Sequence, residues 1–232
     1  MKPILFNAEM VRAILDGRKT VTRRVVKPQP GDVYSGGNVE LRRHTDGPHK
    51  GEWHCYQESP PLDKRTNRPW GGQIKSPYQD GDILYVRETW AKNENPNSNN
   101  FGGYEYRADY LGAHCCDLID WSPSIYMPKE AARIFLRVTD IRVERLQDMT
   151  EDDVCAEGVE SIIRSCEHMD FSVVPPELCY NTNQCKDCII NYSYQELFGK
   201  MVWDATIKKK ELPRYGWKAN PWVWVIAFEK NI

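Results

Sequence analysis

The chain has 232 residues, enough for one large domain or one domain with sizeable insertions, and a core of that size buries roughly 70 % of the surface its unfolded chain exposes without help from disulfides. Against 31 Lys and Arg stand 33 Asp and Glu, and the formal net charge of -2 excludes a global pull toward nucleic acid or an anionic membrane, so any anion site must be local. No stretch approaches the roughly 20 apolar residues that span a bilayer, and MKPILFNAEM lacks the features of a secretory leader. The expectation is a cytoplasmic protein with no membrane partner, whose eight Cys are reduced thiols or metal ligands rather than a disulfide framework.

Asn7 is placed to cap a helix over Ala8 to Asp16, with Met10, Val11, Ile14 and Leu15 on one face and Gly17 at the left-handed exit. GRKTVTRR, residues 17 to 24, follows directly. From Pro28 to about Gln79 the composition turns to Gly, Pro, His and charge, which predicts a long loop-rich insertion anchored by Trp53 and Trp70. GDILYVRETW (81 to 90) predicts a strand, NENPNSNNFGG (93 to 103) a loop, and YEYRADY a short strand.

RIFLRVTDIRVERL (133 to 146) alternates Ile134, Leu136, Val138 and then changes phase to Ile141 and Val143, which predicts a strand with a bulge near Thr139 and Asp140. Thr150 and Asp153 signal the start of a helix that Gly158 closes. Residues 160 to 192 hold four Cys and read as a second insertion. Ser193 and Glu196 form another capping pair, ahead of a helix that turns Tyr194, Leu197, Phe198, Met201, Val202 and Ala205 to the core. NPWVWVIAFE (220 to 229) is apolar on both faces, as a central, doubly covered strand would be. The sum is an α+β chain with separated strands and a few short helices.

Residues 11 to 30 contain six bases and only one acid, Asp16. Such local charge with neighbouring hydroxyls suits contact with a phosphate backbone through Arg18, Arg23, Arg24 and Lys27. The alternative is a solvated basic turn at a helix C-terminus. Glu157 sits in the last turn of its helix, where the dipole disfavours a carboxylate. Neither Lys19 nor Glu157 belongs to the apolar pattern, so their replacement is expected to leave the melting temperature nearly unchanged.

ILDGRKTVTRR, GDILYVRETW, RVERLQDMTEDDVCAEGV and NPWVWVIAFE together resemble the ASCH domain, a small β-barrel of the PUA-like group, in the long form common in bacteriophage and prophage proteins. The resemblance covers residues 1 to 27, 81 to 91, 125 to 159 and 193 to 229. It implies a PUA-like barrel with helices at the rim and recognition of RNA or a modified nucleoside. For the small acetylcytidine amidohydrolases of that family it further implies a Gly-x-Lys-x-x-Thr motif and a downstream Glu, which fall on Gly17, Lys19, Thr22 and Glu157. Chemically, a threonine hydroxyl needs a base to take its proton, and a lysine serves only if its amine is neutral, well below its usual ~10.4. The two insertions set this chain apart from the small enzymes. Three functions therefore stand: hydrolysis of an acyl amide on a nucleobase, RNA binding without catalysis, and a phage-encoded interaction protein acting through the Cys-rich insertion.

Cys166, Cys179, Cys185 and Cys188 form a second constellation. CKDC is a Cys-x-x-Cys half-site, and Cys166 with Cys179 would complete a structural zinc shell, with His168 a substitute ligand; four incidental thiols are the alternative. His54 with Cys55, and His114 with Cys115 and Cys116, lack matching spacing and are read as incidental.

Overall fold

A computed structural model of the chain describes residues 1–30, 38–58, 73–94, 102–110, 119–159, 165–166, 169–170 and 193–231. Strand β1 (Lys2–Leu5) leads into helix α1 (Ala8–Leu15), then β2 (Val21–Val25), β3 (Asn38–Arg43), β4 (Trp53–Glu58), β5 (Gln73–Ile74), β6 (Ile83–Arg87), β7 (Trp90–Lys92) and β8 (Tyr104–Tyr106). The long strand β9 (Phe135–Arg145), helix α2 (Glu151–Ala156), the short pair β10 (Ser165–Cys166) and β11 (Met169–Asp170), helix α3 (Tyr194–Leu197) and β12 (Trp222–Asn231) follow. The class is mixed α and β. The main sheet has five strands in the order β1-β6-β9-β12-β2, antiparallel except for the parallel β1–β6 pair.

That sheet does not close by backbone pairing, since β1 and β2 are its two edges. Among the described residues the pairing thus forms an open sheet and no closed barrel. The edges are joined by a side chain: the Arg24 guanidinium on β2 donates to the Leu5 carbonyl on β1 at 2.9 Å.

β12 lies between β9 and β2, as its two apolar faces predict. Trp224, Ile226 and Phe228 join one core with Val11 and Ile14 of α1, Leu84, Val86, Leu136 and Val138. Val223 and Val225 join the opposite core with Leu146, Val154 of α2, and Leu197, Phe198, Val202 and Trp203. Full burial of each such side chain is worth about 1.5–3 kcal/mol. The bulge falls where the phase change predicts it: Ala227 faces Asp140 and Phe228 faces Val138, so Thr139 is the extra residue.

The described part of 28–79 contains three strands among its turns. β3, β4 and β5 form an antiparallel sheet that brings Leu41, Trp53, Cys55 and Ile74 into the first core, with Trp53 edge-on to Trp224 at 5.5 Å. Short period-two runs among Gly, Pro and His hide these strands in the sequence. After α3 the chain enters a π-helical segment, Phe198–Trp203, whose extra residue per turn exposes Met201 and turns Trp203 inward, contrary to the helical spacing. A Cβ on Gly199 would lie 2.2 Å from the Trp217 ring, so only glycine permits this packing. Among the described residues, no helix is long and apolar enough to cross a membrane.

Candidate functional site

Asn7 caps α1 by accepting from the Met10 amide, and the helix ends at Gly17 with φ +76°. The chain then runs beside the end of α2. The Lys19 and Glu157 backbones form an isolated antiparallel bridge, and the Thr20 amide donates to the Ala156 carbonyl at 2.9 Å. α2 begins with the predicted capping box of Thr150 and Asp153 and is capped at its C-terminus by Glu157, with Gly158 at φ +78°. A Cβ at Gly158 would meet the Cβ atoms of Ala13 at 2.7 Å and Lys19 at 2.9 Å. Glycine is thus required twice, for the left-handed turn and for the close approach of the two segments.

This docking aims the Lys19 side chain at Glu157, 138 residues away. The amine donates to one carboxylate oxygen at 2.5 Å and to the Glu157 carbonyl at 2.9 Å, with no exposure of the lysine side chain. Its nitrogen lies 5.6 Å from the centre of the Phe6 ring. Burial holds the Lys19 ammonium below its ordinary 10.5; the charge and hydrogen bond of Glu157 oppose this, while Arg24 and Arg23 add to the lowering. The other Glu157 oxygen accepts from Arg23 at 3.3 Å.

Arg23, whose side chain is also fully buried, reaches Glu144 at 2.7 and 3.0 Å and Asp153 at 3.1 Å. Arg142 extends the network to Asp153 at 2.9 Å. Burial alone would lower Arg23, but Glu157, Glu144 and Asp153 outweigh it and hold its guanidinium charged. Two buried cations and a buried carboxylate are costly to remove from water and are tolerated because they are mutually paired. The expectation that replacing Lys19 or Glu157 leaves the melting temperature nearly unchanged is corrected here: they are 2 % and 3 % exposed, and breaking either will cost stability.

Thr22 is buried on β2, three residues from Lys19, opposite Ile226 of β12. No hydrogen bond joins its hydroxyl to the Lys19 amine, which is held by Glu157 instead. Of the remaining cations of the motif, Arg18 pairs with Asp16 at 2.8 Å and the Gly158 carbonyl at 3.2 Å, and Arg24 lies over the Phe6 ring at 5.4 Å while reaching Leu5. Lys27 is the exposed one, 4.0 Å from Glu211 and 4.8 Å over the Tyr215 ring. The structure thus brings Lys19, Arg23 and Glu157 into one cluster and leaves Lys27 outside it. Of the residues that balance the charge, Glu144 carried no motif in the sequence and Asp153 carried only the helix-start signal; they come within reach of Arg23 only once the sheet sets β9 beyond β12 from β2 and the end of α2 docks beside residues 19 and 20.

Of the proposed zinc ligands, Cys179, Cys185 and Cys188 lie outside the described residues, as do His168 and the Cys166 side chain. His114, Cys115 and Cys116 lie outside them too. Comparison of the chain with protein-family models, with curated proteins and with solved structures returned no match in any of the three.

Proposed function

We propose that this chain is a PUA-like protein of the ASCH type that hydrolyses an acyl amide on a nucleobase, taking a modified nucleoside, free or within RNA, as substrate. The observation that carries the reading is the buried Lys19–Glu157 pair, 2.5 Å apart and built from segments 138 residues distant. A desolvated lysine amine gives up its proton more readily than one in water, and Thr22 supplies a hydroxyl three residues on.

In the first step the Thr22 oxygen attacks the acyl carbon while its proton passes to the neutral Lys19 amine. The tetrahedral intermediate collapses with cleavage of the C–N bond, and the Lys19 ammonium protonates the departing exocyclic amine of the base. Water then hydrolyses the threonyl ester with the same amine as base, releasing the carboxylic acid and restoring the hydroxyl. Glu157 stabilises the ammonium at the stage when it is charged, and Arg23 fixes the carboxylate from the other side. This sequence requires the amine to exchange its bond to the Glu157 carbonyl for Thr22 when substrate enters, while keeping the carboxylate.

A second reading, RNA binding without catalysis, draws on a different surface. Lys27, Lys208, Lys209, Lys210 and Arg214 are all exposed, and Lys27 and Arg214 both lie over the Tyr215 ring. Arg18, Arg23 and Arg24 contribute less to it because their guanidinium groups are engaged within the protein. Incubation with acylated cytidines, with cytidine release followed by chromatography, tests the choice. Release by the wild-type protein supports hydrolysis. A folded protein that binds RNA and releases nothing from any acylated nucleoside leaves the second reading in front.

A further inference from the structure

We propose that His49, Glu52 and His54 form a binding site for a divalent first-row transition metal of the zinc class, at the tip of the β3–β4 hairpin. The last paired residues of that hairpin are Arg43 and Trp53, so residues 44–52 turn back on themselves. The turn is held by its own backbone: Gly51 donates to the His44 carbonyl at 2.8 Å, Glu52 to His49 at 2.9 Å, and His44 to Glu52 at 2.9 Å. Gly47 and Gly51 supply the positive φ angles, +71° and +87°, that the reversal needs.

Three donor groups converge as a result. One Glu52 carboxylate oxygen lies 3.0 Å from His49 Nδ1 and 3.1 Å from His54 Nε2, and all three donor atoms lie within 4.8 Å of one another. Metal bonds of about 2.0–2.1 Å in a tetrahedron set donor separations of roughly 3.3–3.4 Å, so the two Glu52–His distances need to lengthen by only a few tenths of an ångström, and the two imidazole nitrogens, within 4.8 Å, need to close by at most about 1.5 Å. Two imidazoles and a carboxylate suit zinc, cobalt, nickel or copper rather than calcium or magnesium, which prefer all-oxygen shells.

The surroundings hold the ligands in place. His54 is largely covered by its neighbours, and the His44 ring packs edge-on to it at 4.6 Å. His44 in turn is fixed through its Nε2, 2.8 Å from the Tyr56 hydroxyl. His49 is more than half exposed, which gives the ion an entry path and leaves a coordination position to solvent. Glu52 also lines a cavity of about 270 Å³ with Trp53, Tyr78 and Arg43, so the ion would stand on its rim.

Pairing His54 with Cys55 in the sequence concealed this set. Adjacent residues on a strand face opposite ways, and Cys55 points into the core, where burial pushes its thiol up to about 11. The partners of His54 are His49 and Glu52, reached across the hairpin turn.

Titration of the full chain with cobalt(II) tests the site, read by visible absorption and by equilibrium dialysis. One ion is expected with a spectrum lacking sulfur-to-metal charge transfer. Affinity should fall by at least ~10-fold in His49→Ala and in His54→Ala, and stay unchanged when Cys166, Cys179, Cys185 and Cys188 are all replaced by Ser. Circular dichroism checks that each variant folds, and His49, being exposed, provides a test that does not depend on His54→Ala folding. Absence of cobalt binding, affinity unchanged in His49→Ala, or binding lost only with the cysteines would each overturn the proposal.

Discussion

Among the described residues two carboxylates are buried, Glu88 and Glu157, and they differ in what lies against them. Glu88, 1 % exposed, meets Arg133 through two hydrogen bonds of 3.0 and 3.1 Å; Arg133 passes on to Asp109 at 2.8 and 2.9 Å and stacks 3.9 Å from the Tyr106 ring. Glu157, 3 % exposed, meets Lys19 on one oxygen and Arg23 on the other. Arginine keeps its proton at every accessible pH, so the Glu88 pair is a fixed clamp between the end of β6 and the start of β9. Lysine does not, and burial brings the Lys19 proton closer to release. The cation opposite a buried carboxylate therefore decides whether the pair is confined to holding the fold together or is also able to move a proton.

The sharpest way to break this contrast is to make the second site resemble the first. Lys19→Arg keeps the charge and removes the transferable proton, so kcat/KM for cytidine release from an acylated cytidine should drop by about 10²–10⁴-fold. Activity within about tenfold of wild type would show that Lys19 is not the base. Glu88→Gln is the complementary change. It leaves Arg133 with Asp109 alone and removes two charge-assisted hydrogen bonds, but burial already favours the uncharged form of Glu88, so stability in urea denaturation should fall by only about 1–2 kcal/mol. Turnover per folded molecule should stay at the wild-type level, and a parallel loss of turnover would mean that the two carboxylates do not differ in kind.

The smallest effect is in pH dependence, where the two sites act with opposite sign. The folded Lys19 value lies below 10.5, so between the two values the unfolded chain binds more protons, and stability from this group rises with pH through that window. Burial raises Glu88 above 4.5 despite its bonds to Arg133, so its contribution is full below 4.5 and falls as pH rises through the folded value. As pH rises through that window toward 10.5 the stability difference between wild type and Lys19→Met should widen in favour of wild type. A difference that stays constant or narrows would place the Lys19 value at or above that of a free lysine.

Much of the local structure was legible because its signals are local. The Asn7 cap, the capping boxes at Thr150 and Ser193, the Thr139 bulge and the two-faced β12 all follow from spacing within a dozen residues. The burial of Lys19 and Arg23 within GRKTVTRR was not legible. Their charges are balanced by Glu144, Asp153 and Glu157, 121 to 138 residues away, and a basic run reads as a surface until its partners are in place. The resemblance put Glu157 beside Lys19 in prospect; it did not indicate that Glu157 would hold the amine in place of Thr22. In the helical region that follows Ser193 the period itself changes, and no 3.6-residue template anticipates the π-helical turn that buries Trp203 instead of Met201.

The bond from Arg24 to the Leu5 carbonyl bears on how this protein keeps to itself. An open sheet leaves two rows of unpaired backbone groups, and such rows invite strands of other molecules to add on. Here the edge strands β1 and β2 lie near enough for one guanidinium to span them, occupying a carbonyl on the first and covering the seam with its own positive charge. An approaching strand meets a cation where it needs an acceptor. An arginine from the basic run of residues 17 to 24 thus sits where the two sheet edges come together, and its charge there disfavours the addition of another strand, a consequence independent of any reaction the protein performs.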